Sequence, residues 1–65
     1  MFPNLRAEMA RNKLTVKGLS ELSGIKPDTL TNKISGETEF KLREMLAIQS
    51  VFKGCSLEYL FESEE

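Results

Sequence analysis

Apolar residues in this chain recur three or four positions apart and never alternate, which leaves helices as the elements from which a core can be built. Leu5 and Met9 stand one turn apart, Val16, Leu19 and Leu22 follow at intervals of three, and Leu30 and Ile34 are again one turn apart. Leu42, Met45, Leu46, Ile48 and Phe52 form a broader stripe, and Leu57, Leu60 and Phe61 a short last one. With 65 residues, a single cysteine and no histidine, the chain has no intramolecular disulfide and no ordinary zinc ligand set to staple so small a core. Packing between helices must hold it together. The expected fold class is all-α, a compact five-helix bundle forming one domain over residues 1–65. Its expected core is Leu5, Met9, Leu19, Leu22, Ile25, Leu30, Ile34, Leu42, Met45, Leu46 and Leu60.

The punctuation between these runs predicts the helix ends. Pro3 and Asn4 suit a first helix that ends near Asn12–Lys13. Thr15 suits the cap of a second, and Gly24 lies just past its end. Pro27 fits the first position of a third helix, where its missing N–H is no loss, and Asp28 suits the positive end of that helix. Gly36 can close it in the left-handed conformation. Phe40 is expected to pack at the entry to the fourth helix, and Ser56 to cap the fifth.

Charge is distributed unevenly. The net charge is −1, but residues 1–36 carry six basic side chains against three acidic ones, a balance of +3, whereas residues 37–65 carry three against seven, a balance of −4. Because charges are screened beyond about 8–10 Å, a basic face can attract phosphate without being cancelled by a distant acidic end. No apolar run approaches the roughly 20 residues of a membrane span, and no basic-then-apolar leader opens the chain, so a cytoplasmic protein without a membrane role is expected. Serine, histidine and aspartate triads, glycine-rich phosphate loops and buried carboxylate pairs have no counterpart here. An enzyme is not expected, nor a cofactor, a metal or a small-molecule ligand.

The third helix is the unusual element. Only Leu30 and Ile34 are large and apolar among threonines, an asparagine and lysines, so most of its surface is polar. A second helix, a tight turn at Ser23–Gly24–Ile25 and this third helix have the layout of a helix-turn-helix over about residues 15–35. Packing of Leu19, Leu22, Ile25, Leu30 and Ile34 is expected to hold the third helix with its N-terminal end projecting. Such a helix can enter a DNA major groove.

The segment "LTVKGLSELSGIKPDTLTNKISG" resembles the helix-turn-helix of phage-repressor-like (Cro/CI, XRE family) transcriptional regulators. The resemblance extends to "NLRAEMARNKLT", "GETEFKL" and "SLEYLF" and so covers almost the whole chain. It implies a lambda-repressor-like domain that binds double-stranded operator DNA, commonly as a homodimer on a palindromic site. The family's base-reading positions fall on Lys26, Pro27, Asp28 and Asn32. Asn32 can pair bidentate with adenine, Lys26 can reach guanine or phosphate, and Asp28 can accept from cytosine or simply stabilise the helix start. Pro27 shapes the helix start and can touch a thymine methyl. Phosphate or neighbouring contacts fall on Thr15, Lys17, Thr29, Thr31, Lys33 and Ser35. The chain departs from the family pattern at Val16, where a glutamine is frequent, and at Glu37, where a basic residue is. Lys41 stands where a capping serine or threonine is common.

Leu57, Tyr59 and Phe61 cannot all face inward on one short helix, so apolar surface is expected there, available to a homodimer. The competing expectation is a protein-interaction module, antirepressor or antitoxin-like, that retained the fold without DNA binding.

Overall fold

Local capping chemistry ends the helices close to where the sequence marks them. In the computed structural model, which describes residues 1–63, five helices follow one another: α1 (Pro3–Arg11), α2 (Val16–Ser23), α3 (Pro27–Ser35), α4 (Leu42–Val51) and α5 (Leu57–Leu60). Thr15 Oγ1 accepts from the Gly18 N–H at 3.1 Å, and Ser56 Oγ from the Tyr59 N–H at 3.1 Å, so each cap satisfies one of the free donors of its first turn. Lys41 has no side-chain acceptor. The start of α4 is instead held from inside the helix, where Glu44 Oε1 accepts from the Lys41 N–H at 2.9 Å. Gly24 and Gly36 end α2 and α3 at φ 80° and 94°, in the left-handed region that glycine enters without a Cβ penalty.

The core is assembled by one fully buried side chain from each helix: Leu5, Leu19, Leu30, Ile48 and Leu60. Met9, Ile34 and Phe52 complete the buried set, while Ile25 and Phe40 are half-buried against it. α2 packs on both α3 and α4, and α5 on both α1 and α4. No helix among the described residues is long and apolar enough to cross a membrane.

Three expected core leucines face out instead: Leu22 is 62% exposed, Leu42 60% and Leu46 48%. In α2 the inward side is built from Leu19, the buried Ser20 and the half-buried Ser23, because small side chains allow a close approach. Ser20 Oγ donates to the Ile25 carbonyl across the turn. Leu22, about 60° round the helix from Leu19 and on the side away from Ser20 and Ser23, is left on the exposed flank. In α4 two apolar stripes of spacing four compete. The Ile48–Phe52 stripe is buried, with Glu44 one turn before Ile48 and Met45 half-buried at the margin, and the Leu42–Leu46 stripe is left outside.

The C-terminal residues also differ from expectation. Phe61 is packed edge-on against Phe2 and Phe40, with ring centroids 6.0 and 5.0 Å away, and Phe2 meets Phe40 at 5.3 Å. Tyr59 donates its hydroxyl to Glu8 Oε2 at 2.9 Å, and its carbonyl accepts from Asn4 Nδ2 at 2.9 Å. Leu57, Tyr59 and Phe61 are all half-buried. Tyr59 and Phe61 therefore seal α5 onto the N-terminal segment and do not form the exposed apolar surface expected of them. The last glutamates of the acidic half, Glu64 and Glu65, lie outside the described residues.

Candidate nucleic-acid interface

α3 is held by an inner face of three residues. Leu30 and Ile34 are buried one turn apart, and Lys33 lies beside them, only 6% exposed. The opposite side is polar: Asp28, Thr31, Asn32 and Ser35 are exposed, and so are Lys26 and Pro27 at the helix start, while Thr29 is half-buried. At 100° per residue, Asp28, Asn32 and Ser35 follow one another at spacings of four and three, so they form a single stripe pointing away from the core.

Along that stripe the side chains differ in how much bonding capacity they have left. The Asn32 side-chain amide makes no hydrogen bond among the described residues, while its backbone carbonyl accepts from the Glu37 N–H at 2.9 Å. Both its donor and its acceptor are thus available to a base edge. Ser35 spends its only hydroxyl proton on the Asn32 carbonyl at 3.0 Å, so a phosphate contact there requires that bond to be released. Asp28 sits in the first turn of α3, where its charge also favours the helix dipole. Thr15 is exposed at the start of α2, and because its Oγ1 serves as an acceptor its proton remains free to donate. Lys17 and Lys26 are exposed and form no ion pair among the described residues.

Lys33 does not belong to this surface. Its Nζ lies 2.5 Å from Glu44 Oε1 and 3.3 Å from the Glu39 carbonyl, so the ammonium expected to meet phosphate is consumed inside the molecule. The physical reason is angular, since position 33 falls beside Leu30 on the inward arc of α3. Hydrogen bonding from Lys33, then from the Lys41 N–H, holds the Glu44 carboxyl below its usual value against the opposing effect of burial.

Arg43, a basic residue outside the expected set, lies near the start of α3. Although it belongs to the acidic half, it is exposed on α4 and lines a cleft of about 330 Å³ together with Gly24, Ile25, Lys26, Thr29 and Ala47. No group of side chains with metal-binding spacing occurs among the described residues. Comparison with protein-family models, curated proteins and solved structures finds no match to the chain.

Proposed function

We propose that the protein is a sequence-specific DNA-binding transcriptional regulator, a repressor of phage or prophage type, in which α2 and α3 act as a helix-turn-helix and α3 enters the major groove of operator DNA. The observation that carries this reading is the outer stripe of α3. Asp28, Thr31 and Asn32 contribute no side-chain hydrogen bond to the fold among the described residues, yet the helix beneath them is anchored by three buried side chains. A polar surface carried on an anchored helix, with side-chain bonding capacity left over, is what base recognition requires.

In this reading Asn32 pairs with adenine and Lys26 with guanine or a neighbouring phosphate, while Lys17, Thr15 and Arg43 meet the backbone. With Lys17, Lys26 and Arg43 meeting phosphates in each subunit, the affinity should fall with salt at a slope of about −3 for each bound copy. A two-fold homodimer places two α3 helices on a palindrome, and its apolar surface is Leu42 and Leu46, not the C-terminal trio.

The exposed leucines at 22, 42 and 46 also favour a second reading, a protein-interaction module that does not bind DNA. Selection of binding sites from random DNA at two salt concentrations separates the two. Enrichment of a defined, two-fold repeated sequence with a salt-dependent affinity supports the regulator. Absence of binding even at low salt removes it in favour of the interaction module.

A further inference from the structure

The Lys33–Glu44 pair occupies a place where an apolar contact would serve stability at least as well. Replacing a buried ion pair with packed hydrophobic side chains is often neutral or stabilising, so stability alone does not account for a lysine on the inner face of α3. What an ion pair adds is direction. Leu30 and Ile34 lie one turn apart on nearly one line along the helix, and dispersion contacts along a line resist rolling about it only weakly. Lys33 stands to one side of that line. Its ammonium is fixed at two points, Glu44 Oε1 and the Glu39 carbonyl, and the same carboxylate oxygen is fixed in turn by the Lys41 N–H.

Resting on the DNA-binding reading above, we propose that Lys33 and Glu44 are positioning residues that set the rotation of α3 about its own axis and thereby decide which bases Asn32 and Lys26 can address. The size of the effect follows from helix geometry. On a helix about 10–12 Å across, a roll of about 20° moves a side-chain tip by about 2 Å. That exceeds the tolerance of a hydrogen bond, whose useful donor–acceptor range spans roughly half an ångström. A loosened α3 would still meet phosphates through long, flexible cations, but a planar amide would lose its bidentate geometry.

The test is a Lys33→Met, Glu44→Leu double variant, which replaces the pair by apolar side chains and conserves net charge. The double variant is expected to stay folded, with the lost Lys41 N–H bond set against the gained apolar packing, its affinity for random DNA to change less than about twofold, and its preference for the selected site over random DNA to fall at least tenfold. A folded double variant whose preference stays within twofold of the wild type would overturn the proposal. Should the double variant not fold, Glu44→Asp keeps both charges and shortens the reach of the carboxylate. A preference reduced at least threefold supports the proposal there, and an unchanged preference defeats it. If the wild type itself selects no site, the DNA-binding reading fails separately. Residual dipolar couplings of the α3 amides, compared between wild type and either variant, then decide the positioning role, since an unchanged α3 orientation would overturn it.

Discussion

Individual residues on α3 divide cleanly between holding the helix and presenting it. Leu30 is fully buried, so Leu30→Ala removes an anchor and leaves a cavity, at a cost of about 2–5 kcal/mol. Against the roughly 3–5 kcal/mol that a domain of this size draws from its core, that loss should largely unfold the protein. Thermal melting followed by circular dichroism checks it, and an unchanged midpoint would mean that Leu30 does not carry α3. Asn32→Ala is the complementary change. Its amide bonds nothing within the described residues, so the melting temperature should move little. Under the proposed DNA-binding function, affinity for the selected site should fall by about 1–3 kcal/mol, with discrimination lost at one base pair. Competition titrations with single-base variants of the site read this directly. A uniform loss over all sequences would show a backbone contact in place of a base contact.

At the scale of elements, the weak point is the junction of α3 and α4, where Glu44 closes the start of one helix and pairs with the other. Its carboxyl is held below the ordinary value of 4.5 by Lys33 and by the Lys41 N–H. A depressed folded-state value means that the unfolded chain takes up the proton first. The contribution to stability is therefore complete above about pH 4.5 and is lost as the pH falls through the lower, folded-state value. Melting temperatures measured from neutral pH downward should drop in the wild type more steeply than in Glu44→Gln, which lacks the titrating group. Identical pH profiles would contradict the pairing. The junction of α1 and α5 has the opposite sign. Tyr59 donates to Glu8, and that bond, with burial, raises its hydroxyl above the usual 10.0. This contribution is present below the unfolded value and disappears as the pH rises through the raised one.

For the whole molecule, size and exposed apolar area bear on assembly. The fold measures 27 × 26 × 21 Å, so two copies side by side have centres about 26 Å apart. If α3 reads DNA as proposed, two α3 helices displaced outward by a few ångströms on each copy reach the spacing of about 34 Å between successive major grooves on one side of DNA. The exposed leucines one turn apart on α4 are the surface on which such a dimer would close. Leu46→Glu is expected to shift the sedimentation coefficient of the free protein from dimer toward monomer and to weaken binding to a repeated site far more than to a half-site. Tyr59→Phe should leave the assembly unchanged, because its hydroxyl is turned to Glu8. Wild-type protein that remains monomeric both free and on a repeated site would refute the dimer.

Helix number, helix ends and the polar character of α3 were legible from the residues alone. Caps such as Thr15 and Ser56, the proline that opens α3 and the glycines that close α2 and α3 act within four residues, so their chemistry is complete in the local sequence. Which side of a helix turns inward was settled at longer range. Leu42 and Leu46 satisfy the helical period as well as Ile48 and Phe52 do, and only packing against the other helices chose between the two stripes. Leu22 is exposed while Ser20 and Ser23 take the inward side of α2 beside Leu19. Lys33 resembles a surface cation until the partner eleven residues away is brought beside it, and Tyr59 a surface aromatic until Glu8, fifty-one residues away, takes its hydroxyl. Periodicity is a property of one helix, whereas burial depends on the neighbours that share its face, and those are supplied by tertiary structure.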